Sequence, residues 1–218
     1  MQRLLTFLIA LVACALWIGL AILGWGGLGP FFSHPALVAV VAIVLAAVVA
    51  AMFTSGNLSS GEREDRGNRW VLAAFGIVGL LDGWLPAYTD RRDLWTIDGD
   101  ATRWVGVALF AIGCWVRIWP VFVLGRRFSG LVAIQPGHQL VTNGPYRWVR
   151  NPSYVGLLIS VLGWGLAFRA WAGVILAALM LPPLIARIRS EERMLASQFG
   201  PAWNAYRART WRLAPGVW

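Results

Sequence analysis

The sequence predicts an all-α, polytopic membrane helix bundle of about five to six transmembrane helices. Three observations lead there. Of 218 residues, 58% are hydrophobic and only 13% are charged, whereas a soluble domain carries about 25% charged residues. The mean hydropathy is +0.63. The apolar residues fall in runs of 17 or more, the length a helix needs to cross a bilayer. This hydrophobicity excludes intrinsic disorder. Two cysteines, Cys14 and Cys114, exclude a disulfide scaffold.

The first run, residues 4–24, is uncharged, and the second, 36–54, is almost pure Ala, Val, Ile and Leu. The third, 70–88, carries Asp82. The fourth, 102–124, carries Arg103 at its edge and Arg117 inside. Runs 152–168 and 170–186 are short and separated by little more than Arg169, so they read as a tight helical hairpin or one broken span. Pro182-Pro183 should kink the last run and could open a pocket there. Leu11-Val12-Ala13-Cys14 looks like a lipoprotein cleavage box. The apolar run continues well past Cys14, so a retained helix is expected. Residues 1–101 read as generic transmembrane helices and 102–218 as the region carrying chemistry, within one membrane domain.

All 19 basic residues are arginine, and the net charge is +9. With the N-terminus cytoplasmic and six spans, fourteen arginines fall inside and four outside, a strong positive-inside bias that places both termini in the cytoplasm. The arginine-only, Ala- and Val-rich composition points to a GC-rich bacterial genome and hence to an inner membrane. The arginines serve as topology signals and lipid contacts. No soluble basic face interleaved with aromatics exists to bind nucleic acid. Two histidines, His34 and His138, without a cysteine cluster argue against a metal site. Intramembrane Arg117 is a functional candidate, with snorkelling as an equal alternative.

Residues 125–151 are too polar to span and too long for a simple connector. Asn143-Gly144-Pro145 signals a turn. Asn151-Pro152 signals a helix start, with Asn as N-cap and Pro in the first turn. Such a start can receive a polar or anionic group, or can merely punctuate the chain. Glu191 and Glu192 are the only acidic residues after Asp100. They either favour the first turn of a cytoplasmic helix capped by Ser190 or form a paired carboxylate for a cationic group. Met194, Leu195, Phe199, Trp203 and Tyr206 form an apolar stripe that lies on the membrane, closes over the loop, or simply packs.

The pattern His138-x-Leu140-Val141-Thr142-x-Gly144-Pro145-Tyr146-x-x-x-Arg150-Asn151-Pro152-x-Tyr154-x-Gly156 resembles the signature of the isoprenylcysteine carboxyl methyltransferase family. So does Glu191-Glu192-x-x-Leu195-x-x-x-Phe199-Gly200-x-x-x-x-x-Tyr206. That family is related to phospholipid N-methyltransferases and to bacterial membrane thiol methyltransferases. The resemblance spans about half of the chain, roughly residues 102–215.

The resemblance implies a membrane-embedded methyltransferase that uses S-adenosylmethionine, bound by a cytoplasmic loop and C-terminal helix. It implies cofactor contacts from His138, Leu140, Val141, Gly144, Tyr146, Pro152, Tyr154, Glu191 and Glu192. The catalytic candidates are Arg150, Asn151, Arg187 and Glu192. Gly163-Trp164-Gly165 is similar to the Gly-x-Gly element of the phospholipid branch and is expected to line the same pocket. One departure is that Arg-His-Pro, common in the family, reads Arg150-Asn151-Pro152 here, and Asn cannot act as a base.

Methyl transfer from a sulfonium is an in-line displacement, so the protein mainly positions reactants and excludes water. Glu191 and Glu192 suit an amino group or ribose, and aromatic faces suit a cationic sulfur. Arg150 suits the cofactor carboxylate and Arg187 an acidic substrate. The implied partners are the bilayer and a lipophilic or lipidated acceptor, with no nucleic acid and no metal. Prenylcysteine carboxylate, phospholipid amine and small thiol all remain open. Membrane sterol reductases, which bind NADPH, share a similar Gly-x-Tyr…Arg-x-Pro-x-Tyr element but are generally longer, and the double-Glu helix argues against them.

Overall fold

The computed structural model describes residues 2–54, 57, 59–137, 139–216 and 218, with side chains from residue 8 onward. Among them the α-helices are α1 (Gln2–Trp25), α2 (Leu28–Phe32), α3 (Pro35–Met52), α4 (Trp70–Arg91), α5 (Asp100–Leu124), α6 (Pro152–Ala167), α7 (Trp171–Leu179), α8 (Leu181–Phe199) and α9 (Pro201–Ala208). A short antiparallel ribbon joins β1 (Arg63–Glu64) to β2 (Ala133–Ile134), with Arg63 opposite Ile134 and Glu64 opposite Ala133. Among the described residues, five helical stretches are long and apolar enough to cross a membrane. The protein is an integral membrane helix bundle, the class expected from its apolar runs. At 16 residues, α6 spans about 24 Å, less than the roughly 30 Å of a hydrocarbon core.

Apolar runs became helices because a helix satisfies its own backbone polar groups where water is absent. Following the chain, the loops 53–69 and 125–151 and helix α9 gather at one end, the loop end. The turns after α1, α4 and α6 gather at the other, the turn end.

The α5–α6 pair is the spine, and glycines set its spacing. A Cβ on Gly113 would lie 2.3 Å from the Ser160 backbone nitrogen, and one on Gly156 2.3 Å from that of Arg117. Gly106 and Gly163 stand in the same relation to Ala167 and Phe110. Four small residues thus let two backbones touch, the usual packing solution in lipid. A core of Phe31, Leu37, Val40, Phe110, Trp164 and Phe168 surrounds the pair. The Trp17 and Trp164 rings stack with centroids 3.8 Å apart, and the Trp164 indole donates to the Asp82 carbonyl at 2.7 Å.

The turn end is fixed by charge. Buried Asp90 accepts from Arg103 at 2.7 Å and from Arg169 at 2.8 Å. Arg103 also donates to the Ala167 carbonyl at 2.9 Å. These bonds tie the α6–α7 turn to α4 and α5.

Five local expectations are corrected. Runs 152–168 and 170–186 do form a hairpin, but the second arm does not end near residue 186. Apart from a break at Met180, helix runs from Trp171 to Phe199. Pro182 and Pro183 fall in the first turn of α8, where a missing N–H costs little. They interrupt the rod without opening a pocket. Ser190 is therefore no cap: it lies inside α8, and its hydroxyl donates to the Asp65 carboxylate. Asn151 precedes α6, but its side chain makes no cap hydrogen bond; its Nδ2 donates to the Arg212 carbonyl at 3.0 Å. Gly163-Trp164-Gly165 is not part of the lining of the cavity described below. Gly163 and Gly165 abut the backbones of Phe110 and Gly173, and Trp164 is fully buried.

Candidate active site

At the loop end, a cavity of about 260 Å³ opens between α4, α5, α6, α8, α9 and the polar loop. That is slightly below the usual range of about 300–1,000 Å³ for small-molecule sites. Its wall mixes two kinds of side chain. Leu72 and Phe75 of α4, Leu124 of α5 and Leu157 of α6 are apolar, and Arg150, Asn151, Tyr154, Arg187 and Glu191 are polar.

Three side chains form one polar group inside it. The Tyr154 hydroxyl donates to Glu191 Oε1 at 2.5 Å. Arg187 Nε reaches the Tyr154 oxygen at 2.5 Å and Glu191 Oε1 at 3.1 Å, while its Nη2 donates to the Gly130 carbonyl at 2.7 Å. Arg187 and Glu191 are one helical turn apart on α8, so the helix itself supplies their pairing. The bond to Gly130 anchors the polar loop to α8. Val132, Ile134 and Met194 pack beneath that anchor as a second small core.

A second group stands behind the first. Glu192 Oε1 accepts from Arg150 Nε at 3.0 Å, and Oε2 accepts from Arg212 at 2.7 and 2.9 Å. Arg150 Nη1 also donates to the Arg207 carbonyl at 3.2 Å and to the Thr210 carbonyl. The Arg150 backbone N–H donates to the Trp211 carbonyl at 2.8 Å. Arg150 thus clamps the loop, α8 and the C-terminal segment together.

Consecutive residues on a helix diverge by about 100°, and the double-Glu motif splits accordingly. Glu191 faces the cavity, and Glu192 faces its two arginines. Of the sequence candidates, Leu140, Val141, Tyr146, Arg150, Asn151, Pro152, Tyr154, Arg187 and Glu191 line the cavity. Gly144 and Glu192 are not among the lining residues. Gly144 adopts a φ of 58° at the turn before Tyr146, a conformation that favours glycine. His138 lies outside the described residues.

Helix α9 closes the cavity. Trp203 and Tyr206 line it together with Met194 and Leu195, so this part of the apolar stripe folds over the loop. The Tyr206 hydroxyl donates to the Tyr146 carbonyl at 2.8 Å. Burial pushes the Tyr146 phenol well up, and the nearby Glu191 carboxylate adds to it. Burial likewise pushes Tyr206 up to about 12. Both phenols stay neutral, which suits them to walls and hydrogen-bond donors rather than bases. Sequence reasoning missed Leu72 and Phe75, which come from the region read as generic. Nothing local marks them, because only the tertiary fold turns α4 toward the loop.

The donor set suits a ligand bearing charged and polar groups. It offers a carboxylate, arginines, aromatic faces and loop backbone around Leu140 and Val141. Among the described residues no cluster of His, Cys, Asp or Glu could hold a metal.

Comparison with known proteins points the same way. The phospholipid methyltransferase family model matches residues 101–202. A protein-S-isoprenylcysteine O-methyltransferase of Schizosaccharomyces pombe is 34% identical over 106 residues, 47% of this chain and 45% of that protein. A steroid 5-alpha-reductase of Solanum lycopersicum is 28% identical over 96 residues, 44% of this chain and 36% of that protein. The chain spans about half the length, or less, of these curated relatives. A solved eukaryotic intramembrane Ras methyltransferase, an isoprenylcysteine carboxyl methyltransferase, aligns over 99% of this chain and 94% of its own. Its TM-score is 0.48 and its identity 17%.

Proposed function

We infer that the chain is a membrane methyltransferase, from the match of residues 101–202 to the phospholipid methyltransferase family model and from its likeness to protein-S-isoprenylcysteine O-methyltransferases. From that premise we propose that it transfers a methyl group from S-adenosylmethionine to a lipophilic acceptor at the boundary between membrane and cytoplasm. The observation that carries this reading is a cavity lined by charged and apolar side chains together. Its arginines and Glu191 suit a polar, water-soluble cofactor, and Leu72, Phe75 and Leu157 suit a lipophilic acceptor.

When bound, the cofactor supplies an electrophilic methyl on a sulfonium that already leaves well. The protein's own contribution is position and dryness. Glu191 and the loop backbone hold polar groups of the cofactor, and Arg150 suits its carboxylate. Tyr146, Tyr154, Trp203 and Tyr206 exclude water and present aromatic faces to positive charge. Arg187 holds Glu191 and Tyr154 in register. Glu192 acts through Arg150 and Arg212, which makes it a positioning residue. A carboxylate acceptor needs no general base, so Asn151 in place of histidine is compatible with esterification. The positive-inside arginine pattern supports a cytoplasmic loop end and cytoplasmic termini, and the arginine-only composition supports a bacterial inner membrane.

The test is transfer of labelled methyl from S-adenosylmethionine by protein purified in detergent. A prenylcysteine-type carboxylate, a phospholipid amine and an alkyl thiol would be offered separately. Label in a lipophilic product supports the reading; none in any of the three, from folded protein, counts against it. The similarity to a steroid reductase favours a second reading, an NADPH-dependent reductase.

A further inference from the structure

Residues 59–69 precede α4 and lie outside the region whose sequence carries chemistry, yet they strap the polar loop. The Glu62 N–H donates to the Ile134 carbonyl at 2.9 Å and the Asp65 N–H to the Val132 carbonyl at 3.0 Å, on either side of the β1–β2 pairing. The Ser129 hydroxyl and Gln135 Nε2 both donate to the Ser59 carbonyl, at 2.9 and 3.1 Å. A Cβ on Gly61, whose φ is 59°, would lie 2.1 Å from the Ile134 carbonyl oxygen. Strap and loop therefore meet backbone to backbone.

The same strap grips α8. The Ser190 hydroxyl donates to the Asp65 carboxylate. Arg63 Nη1 donates to Ser197 Oγ at 3.0 Å, and Asn68 Nδ2 to the Ala186 carbonyl at 3.5 Å. At about 100° per residue, positions 186, 190 and 197 fall within roughly 40° on one face of the helix. Arg187 and Glu191 each follow a gripped residue and so lie about 100° further round, on the cavity wall. Ser190 is 2% exposed, and among the described residues its hydroxyl has no partner but Asp65. Asp65 thus holds the polar loop through its backbone and α8 through its side chain.

We propose that Asp65 is a positioning residue of the cavity: the bond it accepts from Ser190 sets the rotation of α8 that turns Glu191 toward the ligand. A buried hydroxyl is costly without a partner. A helical serine deprived of one bonds back to the carbonyl four residues earlier, here that of Ala186, and this bends the helix. Glu191 is the next residue and moves with it. Arg150 and Arg212 hold Glu192 on another face of α8. A helix gripped on one face can pivot about that grip, whereas one gripped on two faces is fixed in rotation. The inference rests on the methyltransferase reading, which supplies the ligand, and adds to it a residue from the N-terminal half of the chain.

The test compares wild type, Asp65→Ala, Ser190→Ala, the double variant and Asp65→Asn in detergent. S-adenosylhomocysteine affinity is measured by calorimetry, well below the melting temperature that each protein shows without ligand. Asp65→Ala and Ser190→Ala should each weaken binding about tenfold, the scale of one charge-assisted bond. The double variant should be no weaker than the worse single variant, because both changes remove the same bond. Asp65→Asn keeps an acceptor oxygen for Ser190 and should stay within about threefold of wild type.

Wild-type affinity in Asp65→Ala or in Ser190→Ala overturns the proposal. So do losses that add in the double variant, which would mean that the two residues act separately. Asp65→Asn as weak as Asp65→Ala also overturns it, since the charge and not the accepted bond would then matter. Each of these outcomes leaves the methyltransferase reading intact. Folded wild-type protein that binds no S-adenosylhomocysteine removes that reading and the proposal together.

Discussion

Arg150 donates its Nε to Glu192 Oε1 at 3.0 Å, and this bond, with that from Arg187 to the Gly130 carbonyl, joins the polar loop to the helix that carries Glu191. Both side chains are nearly buried, at 8% and 9% exposure. Removing one partner of such a pair leaves an unmatched buried charge and costs about 3–5 kcal/mol. Glu192→Ala should therefore lower unfolding stability in detergent by that order, and Arg212→Met by less, since Arg212 is more exposed. A Glu192→Ala protein as stable as wild type would show that the pair does not clamp the loop.

Glycine spacing on the α5–α6 spine gives an expectation of opposite sign at two positions. Gly113→Ala forces a Cβ to within 2.3 Å of the Ser160 backbone and should destabilise by about 1–3 kcal/mol or more. Gly76→Ala, on α4, meets nothing within 4 Å and should stabilise by up to about 1 kcal/mol through helix propensity. Because α5 carries Arg117 and α6 carries Tyr154, Gly113→Ala should also impair ligand binding. Thermal unfolding of both variants, with and without ligand, checks the pair.

His34 gives a pH dependence. Burial lowers its pKa, and the nearby Arg103 charge adds to the effect. Its Nδ1 is buried without a hydrogen-bond partner. A folded value below the unfolded one means that protonation opposes folding. The contribution is intact above about pH 6.5, the ordinary histidine value, and is lost as pH falls through the lowered folded value. Melting temperature should drop over that acid range in wild type and drop less in His34→Gln. Identical profiles would remove His34 from the account.

Asn151→Ala should be mild. The side chain makes no cap bond, so the variant loses one hydrogen bond to the Arg212 carbonyl, worth about 1 kcal/mol. A loss of several kcal/mol in unfolding measurements would mean that the cap geometry depends on it after all.

The spanning helices were legible because an apolar run of bilayer length has few alternatives: runs 36–54 and 102–124 became Pro35–Met52 and Asp100–Leu124. The continuity of α8 was not legible. Ser190-Glu191-Glu192 carries the composition of a helix start, and only the anchoring of Ser190 to Asp65 and of Arg187 to Gly130 shows that the rod passes through it. The motif pointed to Glu191 and Glu192 together but could not separate them, since which one faces the cavity depends on the rotation of α8. Arg117 announced itself as a charge inside an apolar run, yet its setting came from α6 and α8. Leu72 and Phe75 carried no signal, being two apolar residues in an apolar helix.

The most direct measurement is calorimetric titration of the purified, folded protein in detergent with S-adenosylhomocysteine and, in parallel, NADPH. Binding of S-adenosylhomocysteine alone, weakened in Tyr154→Phe, is the expected result. Binding of NADPH alone, or of neither ligand, would contradict the methyltransferase account.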